Sequence, residues 1–140
     1  DVFNEAKNMQ EKIKLKKDVD FLIVDFHAET TSEKQAMGHF YDGKATALVG
    51  THTHVPTADA RVLENGTGYQ TDLGMCGNYN SVIGMDKNNS LMKFLKNKEA
   101  GKNFPARGEA TISGLIIEGN STTGLSKKVE QFFFGGILKQ

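Results

Sequence analysis

Residues 48–59 read LVGTHTHVPTAD, with His52 and His54 one residue apart directly after an apolar run. Neutral imidazole is a common metal ligand, and two rings so spaced at a strand end can serve one ion or one each of a close pair. The competing reading of an isolated His-x-His is a pair of hydrogen-bonded or solvated histidines. His27, in VDFHAE, stands at the exit of a second apolar run and makes a third candidate ligand. Imidazole ligation suits iron, manganese or zinc about equally. His39, the fourth histidine, falls inside a helical pattern and repeats none of this context.

Carboxylates accompany the three rings. If DFHAE stays extended, Asp25, His27 and Glu29 point the same way, so either acid is a candidate to orient the imidazole from behind; Asp72, in TDLGM, is a further one. The competing reading is a strand-capping Asp25 and a solvated Glu29.

The elements that must position these residues follow from the flanking patterns. DFLIVDF is a short continuous apolar run rich in branched residues and bounded by acids, the signature of a buried central strand. TTSEKQAMGHFYDGK opens on a Ser/Thr cap, carries Glu33 in its first turn and stops at Gly43, which predicts a helix from about Ser32 to Tyr41. ATALVG is a second buried strand. Strand, helix and strand within about thirty residues make a βαβ unit with parallel strands. Ligands in open α/β sheets collect outside the carboxyl ends of such strands, so His27, His52 and His54 are expected at one rim.

Around this unit, Phe3, Ala6, Met9 and Ile13 recur at helical spacing, predicting a helix from Val2 to about Lys16 whose basic end KIKLKK is solvated. ARVL and YQTDLG read as strands joined by a glycine-containing turn, and NSLMKFLKN as a short helix. GEATISGLIIEG and LSKKVEQFFF read as a long hairpin. The FFFGG segment reads as a strand flank or an interface. GNSTTGLS lacks the lysine of a phosphate loop, and Cys76 has no base beside it in sequence.

A chain of 140 residues suggests a single domain. Seventeen basic residues balance seventeen acidic ones, so no broad positive field favours nucleic acid or an anionic membrane. No stretch reaches the roughly 20 apolar residues of a spanning helix. The single cysteine fits a reducing compartment, so the expectation is a cytoplasmic protein.

The segment VDFHAETTSEKQAMGHFYDGKATALVGTHTHVPTADARVL, followed by GTGYQTDLGMCGNYNSVIGM, resembles the YmdB-like bacterial metallophosphoesterases, a branch of the calcineurin-like phosphoesterase superfamily. The similarity runs over almost the whole chain. It implies an α/β fold of two packed mixed sheets flanked by helices, a two-metal centre of iron or manganese (zinc fits the same ligands), and hydrolysis of phosphodiesters, with 2′,3′-cyclic nucleotides as the substrate class. By that resemblance His27 and His52 bind one metal and His54 the other. Such proteins also carry, in an N-terminal half, an Asp, a bridging Glu, Asn ligands and a catalytic His adjacent to one Asn. None of these is found here, so the chain is expected to be the C-terminal portion of such a domain, inactive alone, with the remaining half as its partner and a homo-oligomer open. Two other readings stand beside it. One is a non-catalytic metal-binding or regulatory remnant of the fold. The other is an amidohydrolase-type site, which needs further histidines after His54 that the chain lacks.

Overall fold

A computed structural model of the protein describes residues 1–138. Its first helix, α1 (Val2–Lys12), is capped by Asp1, whose carboxylate accepts from the Phe3 amide. It ends earlier than the periodicity predicts. Ile13 is already extended, the Asp18 carboxylate captures the Lys14 amide at 2.9 Å, and Lys16 turns left-handed while pairing with Asp20. A local carboxylate thus offers the backbone an alternative to the next helical bond. Only the first turns of α1 bury: Ala6 and Phe3 meet the core, whereas Met9 and Ile13 are exposed.

Strand β1 (Ile23–His27) runs parallel to β2 (Ala47–Thr51), in a register that sets His27 opposite Thr51. Between them α2 (Thr31–Tyr41) is capped by Thr30, whose hydroxyl accepts from the Glu33 amide and donates to the Glu33 carboxylate. Strand β4 (Gly68–Gln70) pairs parallel with the other edge of β2, and β3 (Arg61–Val62) pairs antiparallel with β4. The sheet order is therefore β1-β2-β4-β3. The buried central strand is β2, and the assignment of that role to DFLIVDF is corrected. Among the described residues β1 is an edge strand, with Phe21 and Ile23 about half exposed. Apolar content made both runs look alike, but only β2 has neighbours on both sides.

Helix α3 (Lys87–Phe94) follows, capped by Asp86, and turns Leu91 and Phe94 to solvent. Strands β5 (Ile112–Gly119) and β6 (Ser126–Phe134) form the expected antiparallel hairpin, bulged at Glu118/Gly119. Strand β6 lies against the first sheet. The Ser126 hydroxyl donates to the Thr46 carbonyl at 2.8 Å, and Gln131 reaches the Thr57 carbonyl at 2.7 Å. The core between sheet and helices is Met37, Tyr41, Leu48, Leu63 and Tyr69. The hairpin's outer face carries exposed Ile112, Ile116, Phe132 and Phe134. Among the described residues no helix is long and apolar enough to cross a membrane.

A second network ties the loop after β2 to β4. The Asp59 carboxylate accepts from the Thr57 hydroxyl, from both the hydroxyl and the amide of Thr71, and from Arg61. Partial burial pushes its pKa upward, but these donors outweigh it and hold Asp59 below the usual carboxylate range. A carboxylate depressed by folding stabilises above its unfolded value of about 3.9 and loses that contribution as pH falls through the folded value. Asp59→Asn is therefore expected to flatten the dependence of the urea midpoint on pH below about 4. At pH 7 it should cost about 1.5–3 kcal/mol. An unchanged acid limb would show that Asp59 is not a source of it.

Candidate metal centre

The rim is built by the parallel register. Because His27 and Thr51 are partners on adjacent strands, the Thr51 hydroxyl sits 3.1 Å from His27 Nδ1. The same hydroxyl donates to the Asp25 carboxylate at 3.1 Å. Asp25 can only accept, so Thr51 spends its proton there and receives the His27 Nδ1–H. This fixes the tautomer: His27 Nε2 carries a lone pair, and that nitrogen lies 3.2 Å from His52 Nδ1. The rings meet edge to face, centroids 5.0 Å apart.

Two nitrogens on one ion, each about 2.0–2.1 Å from it, stand roughly 3–3.4 Å apart. The observed separation fits that spacing. The donor chemistry fits as well, because the second nitrogen of His27 is engaged by a hydroxyl backed by a carboxylate, the arrangement that orients ligating imidazoles. His27 and His52 could therefore share a metal.

His54 is held differently. Its Nδ1 donates to the Ile83 carbonyl at 2.8 Å, which leaves Nε2 as its donor nitrogen. It does not join the other two rings. Among the described residues no group of three or more His, Cys, Asp and Glu side chains is close enough to hold a metal ion.

The backbone carrying these rings is strained. His52 has φ 135° and His54 φ 63°, regions that disfavour side chains. Such conformations cost about 1–3 kcal/mol each and persist where surrounding contacts dictate them.

The carboxylates divide. Asp25 reaches His27 through Thr51 rather than directly. Glu29 reaches no histidine: β1 ends at His27, the chain bends at Glu29, and its carboxylate has no hydrogen-bond or ion-pair partner among the described residues. Alternation along an extended chain fails once the strand stops. Asp72 also touches no imidazole. It is fully buried, pairs with Lys34 at 2.7 Å and accepts the Thr53 amide at 2.9 Å. Burial pushes its pKa upward, yet Lys34 and the amides of Thr53 and Gly74 hold it below the usual carboxylate range. His39 is exposed on α2, away from the rim.

Sequence reasoning missed Thr51, Lys34 and Ile83. Thr51 was accessible from the register of a parallel pair. Lys34 shares the buried face of α2 with Met37, Gly38 and Tyr41, a spacing that flags a lysine needing a buried anion. No local signal marks a backbone carbonyl such as that of Ile83.

The fold and rim define a class: a mixed α/β protein of two sheets with helices, bearing histidines at the carboxyl ends of parallel strands. The chain belongs to the YmdB-like protein family, whose model matches residues 1–132. It is 45% identical over 111 residues to a 2′,3′-cyclic-nucleotide 2′-phosphodiesterase of Bacillus subtilis, covering 79% of this chain and 42% of that protein. It is 52% identical over 128 residues to a Mycoplasma pneumoniae protein named as a candidate phosphatase/phosphodiesterase, covering 91% of this chain and 45% of that one. A crystal structure described as a novel phosphatase from Mycoplasma pneumoniae superposes with a TM-score of 0.84 at 38% identity, covering 95% of this chain and 46% of that one. The chain thus spans about half the length of the curated relatives it matches.

Proposed function

We propose that this chain supplies one side of the active centre of a metal-dependent phosphodiesterase acting on 2′,3′-cyclic nucleotides. The observation that carries the reading is the 3.2 Å approach of His27 Nε2 to His52 Nδ1, with the His27 tautomer fixed through Thr51 and Asp25. The family membership and the name of the Bacillus subtilis relative support the reaction class.

His27 and His52 would hold one metal, and His54, anchored by Ile83, would present Nε2 to a second. When bound, a metal pair supplies an activated hydroxide and neutralises charge on the phosphoryl oxygens. Asp25 and Thr51 place the His27 proton on Nδ1, turn Nε2 toward the site and fix the ring plane, and the Ile83 carbonyl does the same for His54. The further ligands and the proton donor to the leaving ribose oxygen would come from the remainder of a protein of its relatives' length. Iron or manganese is the favoured pair, zinc the alternative, and a small phosphodiester the partner. The working compartment is the cytoplasm.

A non-catalytic metal-binding module is the second reading, favoured by the convergence of two imidazoles, His27 and His52, with His54 held apart by Ile83. The protein extended to the length of its relatives and loaded with manganese separates the two. Hydrolysis of a 2′,3′-cyclic nucleotide faster than of a 3′,5′-cyclic nucleotide or a phosphomonoester is expected. Metal uptake without turnover of any of the three would establish the second reading instead.

A further inference from the structure

We propose that the buried Lys34–Asp72 ion pair is the positioning device of the His52–Thr53–His54 segment, acting on its backbone from beneath. Both side chains are fully buried, with Lys34 Nζ 2.7 Å from Asp72 Oδ2. The same Oδ2 accepts the amide of Thr53, the residue between the two histidines, at 2.9 Å. The other oxygen, Oδ1, accepts the Gly74 amide at 2.9 Å. One carboxylate therefore clamps the histidine segment to the start of the loop after β4, and Lys34 of α2 neutralises it.

Stability alone does not call for this arrangement. A buried ion pair is often no better than an apolar pair of the same shape, because desolvation offsets the attraction. What an apolar pair cannot do is hold an amide. The amide held here lies between two residues at φ 135° and φ 63°, a backbone that relaxes unless something external fixes it. The carboxylate is also the only side chain of its size that serves both amides. An asparagine in either orientation turns its NH2 toward one of them. Room for the device is cut by Gly50, where a Cβ would stand 2.9 Å from Lys34 Cδ.

The importance of the segment rests on His52 and His54 being ligands, but its positioning is measurable without metal. The test compares wild type, the apolar double variant Lys34→Met/Asp72→Leu, which leaves no side-chain acceptor for the Thr53 amide, and Leu63→Ala, a core truncation that lowers stability away from the rim. Amide hydrogen exchange at Thr53 is read by NMR in metal-free protein, and manganese affinity by titration. In wild type the Thr53 amide is expected to be protected. In the double variant its exchange should rise by about 10-fold or more. Manganese affinity should fall by about 10–100-fold. Leu63→Ala should leave affinity unchanged.

The proposal is overturned if Thr53 exchanges freely in folded wild type, a result readable even if the double variant fails to fold. It is also overturned if the double variant keeps Thr53 protected, or if Leu63→Ala lowers affinity as much. A wild type that binds no manganese contradicts the metal reading, while the exchange data still decide the clamp.

Discussion

Replacing His27 with alanine is expected to lower turnover of a 2′,3′-cyclic nucleotide by well over 100-fold in the manganese-loaded, relative-length protein. Loss of a residue that merely orients a ligand costs about 10–100-fold, and loss of the ligand itself should exceed that. Stability should stay within about 0.5 kcal/mol, because His27 is exposed and its removal leaves no buried group unpaired. His52→Gly should lose as much activity without losing stability, since glycine tolerates the φ of 135° that histidine does not. His39→Ala, on the far end of α2, should change neither quantity. Wild-type turnover in His27→Ala would remove this ring from the reaction.

The second large effect concerns stability. A Cβ at Gly50 would lie 1.8 Å from the Thr71 carbonyl oxygen, 2.8 Å from its carbon and 2.9 Å from Lys34 Cδ. Two of these contacts are backbone, so no side-chain rotation relieves them. Gly50 also accepts the Leu73 amide at 2.9 Å, which ties the segment after β4 to β2. Gly50→Ala must therefore spread β2 from that segment, at a cost of at least about 3 kcal/mol. The same strand movement would pull the Asp72 clamp from Thr53. Gly114→Ala is the control: nothing lies within 4 Å of its Cβ position, and the change should stay within about 0.5 kcal/mol. Equal urea midpoints for the two variants would show that β2 yields at Gly50 without cost.

What could be read in the sequence was what local pattern encodes. The apolar runs, the Ser/Thr cap with Glu33 in the first turn and the stop at Gly43 predicted a βαβ unit, and the structure has it with His27 and Thr51 in register and Thr30 as the cap. The same βαβ logic led to a shared rim for three histidines, and two of them meet. The third was illegible because the loop backbone aims it, and the Ile83 carbonyl that holds it lies 29 residues away. Which apolar run is central was likewise illegible, since hydrophobicity records burial and not the identity of neighbours. Glu29 shows the limit of alternation, which holds only while the strand lasts. Asp72 shows a subtler one: its place near the rim was foreseen, but not that it would hold an amide and a buried lysine in place of an imidazole.

The shared ion is tested most directly by anomalous diffraction from manganese-soaked crystals of the relative-length protein. The expected result is a peak bonded to both His27 Nε2 and His52 Nδ1, with His54 Nε2 on a second peak beside it. Peaks that leave His27 and His52 in contact with each other and bonded to no ion would contradict it.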